Sequence, residues 1–332
     1  MKWIAPLIIA SQLFAAQIPD HDIHRGIALS LSGRYDAALE LFNTLKRRDP
    51  SSPAGSFFCA ALWQTRMMDF ETRKWEPLFF DEIERSEKLA RSRLKEKEDD
   101  LMARFYLGAA LSYKSFQLAR SKRYGAAVRA AVISLHELGK IARADSSFCD
   151  VYLGIGSYIY WRSRLTRRFP KLPFIPDDRA SGIEMIERAS ECGRYTGWAA
   201  LSNLAWIHIE EGEYNAAIDC AEKGLELFPD SRFFLWPLGD ALFEAGRYPE
   251  ATETYTILLH SVMSERENNR YNEITLLYKL ARCRAAMKQW TAARSLCRRT
   301  LEIEADDEVR ARSREKQKEA RELLSDLSEK EP

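Results

Sequence analysis

Net charge is almost absent from this sequence: 50 Lys and Arg stand against 49 Asp and Glu, leaving +1. A nucleic-acid binder needs a basic excess to neutralise phosphates, so no nucleic-acid partner is expected. Histidine is scarce, with five in 332 residues. No GxGxxG, P-loop or GxSxG string occurs, which removes the usual phosphate cradles and nucleophile elbows. One string looks like the start of a zinc-protease helix, His136-Glu137-Leu138-Gly139-Lys140. It fails because Lys140 stands where the second imidazole must be. The six cysteines, Cys59, Cys149, Cys192, Cys220, Cys283 and Cys297, include no CxxC or CxxxC pair, so zinc and thioredoxin-like chemistry lack their spacing. Most of them read as small apolar core residues. Asp20, His21, Asp22 and His24 are a metal-ligand combination on paper, but they read as a frayed, solvated start of the mature chain. No enzyme activity, metal or cofactor is expected.

Long hydrophobic runs are missing too. Nothing reaches the roughly 20 apolar residues that a membrane-spanning helix needs. The longest candidate is the beginning, MKWIAPLIIASQLFAAQ, where one Lys precedes an apolar stretch from Trp3 to Ala16 that ends in small residues. That order is the one a secretory signal uses, so residues 1–16 are expected to be removed and the protein to be periplasmic or secreted. A buried first helix is the alternative. No cysteine follows the run, which argues against a lipid-modified N-terminus.

No Pro/Gly/Ser-rich linker divides the chain either, although its length exceeds a typical single core. Internal repetition resolves this. Leu201/Leu235, Leu204/Leu238, Ala205/Gly239, Gly212/Gly246, Tyr214/Tyr248 and Ala217/Ala251 each recur after 34 residues. Small residues at the eighth and twentieth positions let two helices touch, Gly before an aromatic makes the turn, and Pro229 stops the second helix. Gly26, Gly33, Tyr35, Ala38 and Pro50 repeat the template near the start. Looser copies follow, announced by FYLGAALSY at Phe105 and VYLGIGSYIYW at Val151, with Gly108 and Gly154 lying 46 residues apart.

The period and landmarks resemble the tetratricopeptide repeat superfamily. The resemblance is tightest over residues 198–263. It implies an all-α, right-handed superhelical solenoid whose first helices line a concave ligand face. About seven helix hairpins are expected in a repeat array over residues 17–305, at 19–53, 54–97, 101–144, 147–192, 198–230, 232–265 and 272–305. A C-terminal capping helix and tail would occupy 306–332, with only a narrow apolar stripe.

On first helices, residues 3.6 apart share one face. Carried over, the inward face gives Phe57, Phe105, Val151, Ile155, Tyr158, Trp206, Phe233, Trp236, Phe243 and Tyr278. Asp240 and Arg282 are charged exceptions that would pair with each other or with a ligand. An aromatic groove of this kind suits an apolar peptide, helix or lipid-modified tail. Each of these aromatics has a second reading as core between irregular helices. The insertion at 161–174 mixes Arg162, Arg164, Arg167, Arg168 and Lys171 with Trp161, Leu165, Phe169, Leu172 and Phe174. It fits either peripheral contact with an anionic surface or a packed loop with solvated arginines. Cys149 and Cys192 flank one antiparallel hairpin, so an oxidising compartment would permit a disulfide between them. Three functions remain open: a protein-binding scaffold, a helical carrier or enzyme, and a structural spacer.

Overall fold

The computed structural model describes residues 20–167 and 176–328, which form helices and turns only. Fifteen helices follow one another in these residues. The first four hairpins are α1 Asp20–Leu31 with α2 Tyr35–Arg48, α3 Ala54–Asp69 with α4 Glu76–Glu96, α5 Leu101–Arg120 with α6 Tyr124–Ala144, and α7 Asp150–Arg167 with α8 Arg179–Cys192. Three more are α9 Gly197–Glu211 with α10 Tyr214–Leu227, α11 Arg232–Glu244 with α12 Tyr248–Met263, and α13 Tyr271–Ala286 with α14 Trp290–Glu302. A last helix, α15 Asp307–Ser328, packs on α13 and α14. The result is a helical repeat solenoid. No helix among the described residues is long and apolar enough to cross a membrane. The expected secretion segment, 1–16, lies outside them.

The turn chemistry recurs with the repeat. Gly33, Gly212 and Gly246 end their first helices at φ +73°, +80° and +78°, a left-handed conformation that glycine adopts without a Cβ penalty. Lys122 and Lys288 hold the same place at φ +60°, two residues before Tyr124 and Trp290. A side chain there costs about 1 kcal/mol. Within hairpins, small residues set the approach distance: a Cβ added at Gly239 would lie 2.5 Å from the Tyr255 ring.

Each second helix buries a stripe, as α10 does with Ala217, Ile218, Ala221 and Gly224. One continuous core runs from α1 to α9 and a second from α9 onward to α14. The cap α15 buries only Val309, Ser313, Ala320 and Leu327. Cys149, just before α7, is joined to Cys192, at the end of α8, by a disulfide with Cα atoms 5.6 Å apart.

An ordinary solenoid has contacts only between neighbouring repeats; this one closes on itself. The turn after α3 is gripped from the far end of the chain. Arg232 Nε donates to Asp69 Oδ1 at 2.8 Å, Asn272 Nδ2 to the Asp69 carbonyl at 2.6 Å and Asn269 Nδ2 to the Phe70 carbonyl at 2.9 Å. Arg312 of α15 bonds both the carbonyl and the carboxylate of Glu71. A second tie joins α1 to the turn before α9, where Tyr195 Oη donates to Asp20 Oδ1 at 2.5 Å and His24 Nε2 sits 2.7 Å from the Arg194 carbonyl. The cluster from Asp20 to His24 is therefore not frayed. Asp20 and His24 hold the closure, and Asp22 pairs with Arg48 at 2.6 Å.

Candidate functional site

The first helices α9, α11 and α13 stand side by side and present one wall. Trp206 on α9, Phe233 and Trp236 on α11, and Tyr271 and Thr275 on α13 line a cavity of about 340 Å³. Its opposite side is the end of α3, with Met68 and Asp69, and the turn after it, with Glu71. Trp206 is 38% exposed, while Phe233 and Trp236 are half-buried. The structure thus brings together three of the expected groove residues.

Arg232 and Asp69 form the charged floor, and both are buried. Asp69 also accepts the Tyr35 hydroxyl at 2.7 Å, and Arg232 donates to Ser261 Oγ at 2.9 Å and Glu265 Oε1 at 2.8 Å. Burial, with Asp69 beside it, holds the Tyr35 hydroxyl well above the usual tyrosine range. With its partners all internal, this network offers no free charge to a ligand, and the wall's remaining capacity is apolar contact.

One to two helical turns further along the same wall lies a second cavity of about 260 Å³, reached by Asp240, Phe243, Lys279 and Arg282. Asp240 and Arg282 do not pair. Asp240 instead accepts from Lys279 Nζ and from Tyr255 Oη, both at 2.7 Å, and the Arg282 guanidinium lies 4.2 Å from the centre of the Phe243 ring. Lys279 sits one turn after Thr275 on the wall side of α13 and reaches Asp240 first.

Six expected groove residues are placed elsewhere. Phe105 is only 2% exposed, with its ring centre 5.3 Å from Phe148 and 6.4 Å from Tyr195. Phe57, Val151 and Ile155 are buried as well. The cause is the closure: Tyr195, on the turn before α9, enters the interior and meets Phe58 and Phe105, leaving a cavity of about 90 Å³. Tyr278 lies under Lys316 of α15, 5.7 Å from ring centre to Nζ. It is about 100° around the helix from Lys279, so it faces the cap and not the wall. Burial and Glu319 raise its hydroxyl's pKa. Tyr158 is half-buried against Arg162 at 5.9 Å, outside these cavities.

Residues 168–174 of the basic insertion lie outside the described residues. Of its described arginines, Arg162 pairs with Asp178 at 2.7 Å and Arg164 with Glu210 and Glu211. Those two charges are spent within the fold. Among the remaining cysteines, Cys59, Cys283 and Cys297 are buried, and burial pushes the thiols of Cys59 and Cys297 up to about 12 and about 11. They are poor nucleophiles.

Sequence reasoning missed the Arg232–Asp69 pair. Its signal was a charged residue opening the apolar run RFFLW and another closing MMDF, each in a place where a helix core would take a hydrophobe.

Residues 198–231 and 275–305, α9–α10 and α13–α14, each match models of the tetratricopeptide repeat. The chain accordingly resembles that superfamily, and repeats of this kind speak for a protein–protein interaction scaffold. Similar solved structures include a thermophilic TPR protein of Thermus thermophilus, 17% identical with a TM-score of 0.43, covering 67% of this chain and 98% of that one. A second is the C-terminal part of a TPR repeat-containing protein from Cytophaga hutchinsonii, 17% identical, TM-score 0.42, covering 86% and 97%. A third is a tetratricopeptide repeat protein from Parabacteroides merdae, 12% identical, TM-score 0.37, covering 93% and 98%. No curated protein matches the sequence.

Proposed function

We propose that the chain is a non-catalytic scaffold of the bacterial-type cell envelope that holds an apolar peptide, helix or lipid-modified tail on the α9–α11–α13 wall. One observation carries this reading. Trp206, Phe233 and Trp236 of two neighbouring repeats gather at a cavity of about 340 Å³ whose buried charges are already paired. Binding there would run on apolar burial by rigid aromatic anchors. An oxidising compartment agrees with the Cys149–Cys192 disulfide and with the secretion-like start of the sequence.

The test is partner retention from envelope extracts by the wild-type chain, Trp206→Ala and Trp236→Ala, each checked by thermal unfolding. Retention lost with folding intact supports the reading; full retention by both variants overturns it. N-terminal sequencing of natively produced protein tests the location, and an intact Met1 on cytoplasmic material would sink it. A spacer role is favoured for the first four hairpins alone, because their interior is occupied by Phe57, Phe58 and Phe105.

A further inference from the structure

A surface unrelated to that wall is built on the α5–α6 hairpin. Tyr124 and Val128 on α6 are 63% and 62% exposed and Val132 is half exposed, while the exposed Ile133 lies about 100° further around the helix. Residues four apart lie on one side of a helix, so Tyr124, Val128 and Val132 form a stripe. Phe116, also exposed, extends it from α5, whose neighbouring residue Ser115 bonds the Ala127 carbonyl at 2.8 Å. A Cβ added at Gly125 would meet nothing within 4 Å. Six of the twelve large, exposed apolar side chains among the described residues lie on this hairpin, and four of them, Phe116, Tyr124, Val128 and Val132, make the stripe.

The charge beside this stripe is of one sign. Lys122 and Arg123 in the α5–α6 turn and Arg129 on α6 are exposed, and none forms an ion pair with a described residue; Arg120 next to them is shared with Glu71 at 3.3 Å. The carboxylate of α6, Glu137, is taken up by Arg104 at 2.5 Å and Lys140 at 3.5 Å. The exposed Asp81 and Glu84 belong to α4, which packs on α5. Like charges disfavour a second copy of the same face as occupant.

We propose that the α5–α6 hairpin docks this protein onto an anionic lipid surface. Tyr124, Val128 and Val132 enter the headgroup boundary, and Lys122, Arg123 and Arg129 meet lipid phosphates. The face is an exposed helix side bearing apolar and cationic groups. A lipid interface asks only for apolar area and the right sign of charge, whereas a protein partner is selected by complementary pockets and directional bonds. This surface does not depend on the α9–α11–α13 wall.

Flotation of the full chain with vesicles tests the proposal. Expected is binding to vesicles of phosphatidylcholine with phosphatidylglycerol, none to phosphatidylcholine alone, and weakening with added salt. Arg123→Glu with Arg129→Glu, and separately Val128→Asp with Val132→Asp, should each lower the partition coefficient on the order of tenfold or more. Thermal unfolding should stay unchanged because these side chains are exposed. Trp206→Ala should float like the wild type, which separates this face from the cavity. The proposal is overturned by equal binding to neutral vesicles, by no binding to anionic ones, or by partition that both double variants leave intact. It is also overturned if the chain ignores vesicles but binds polyglutamate, which would give the face to an acidic protein. A solution dimer that Val128→Asp with Val132→Asp converts to monomer, without vesicle binding, would give it to a second copy.

Discussion

The interior of the first four hairpins and the wall of the last three obey the same sequence rule and reach opposite ends. In both, aromatics sit at inward positions of first helices. Phe57 and Phe105 meet Phe58, Tyr113, Phe148 and Tyr195 and are sealed, whereas Trp206, Phe233 and Trp236 face a cavity. What differs is the element across from them. The turn before α9 inserts Tyr195 into the first region, while the turn after α3 stops at the edge of the second with its charges tied to Arg232 and Arg312. Inward position alone therefore does not make a groove; the distance to the opposing coil decides it.

The contrast is broken most directly at its sealed side. Phe105→Ala should cost about 3–5 kcal/mol of stability, the scale for an emptied aromatic core site. Chemical denaturation measures it, and a loss under about 1 kcal/mol would put Phe105 back on an open face. Asp69→Ala attacks the bond between the two regions. Removing one partner of a buried ion pair strands the other, at about 3–5 kcal/mol, and the same titration should show it. On the open side, Trp206→Ala should leave stability within about 1 kcal/mol yet remove about 2 kcal/mol or more of partner binding; early unfolding would instead class it with Phe105.

The smallest expected effect is at the seam. Glu211 ends α9 and accepts from Tyr160 of α7 at 2.7 Å and from Arg179 of α8. Burial alone would raise its pKa, but these hydrogen bonds outweigh it and hold the carboxyl below the usual range. A depressed folded-state pKa stabilises the fold above the ordinary Glu value of about 4.3, and that contribution fades as pH falls from there through the lowered one. Glu211→Gln should flatten the acid limb of a stability-versus-pH curve there, and an unchanged limb would show that the seam carries no such load.

Much of the fold was legible because the repeat writes its turns in sequence. Gly33, Gly212 and Gly246 before aromatics mark left-handed helix ends, and the 34-residue return of small residues marks helix contact. Lys122 and Lys288 fill the same turn without glycine, which hid the regularity of the third and seventh hairpins. The site was legible in part. Trp206, Phe233 and Trp236 come from the two adjacent repeats in which the 34-residue recurrence is tightest, where register is secure. Phe105 and Tyr278 went astray for a shared reason, since each meets an element that no periodicity announces: Tyr195 for one, α15 for the other. Contacts between Asp69 and residues 232 and 272 join positions 163 and 203 apart, a distance over which local pattern says nothing.

Those same contacts change what kind of object the solenoid is. An open array behaves like a spring: its coils separate under load, and it can melt one repeat at a time from either end. Tying the third helix to the eleventh, thirteenth and fifteenth turns the spring into a clasped bracelet. Stretching it requires the clasp to break first, so its two ends are expected to share one melting transition, and a guest of the proposed Trp206–Trp236 site would enter by the existing mouth without the coils spreading apart.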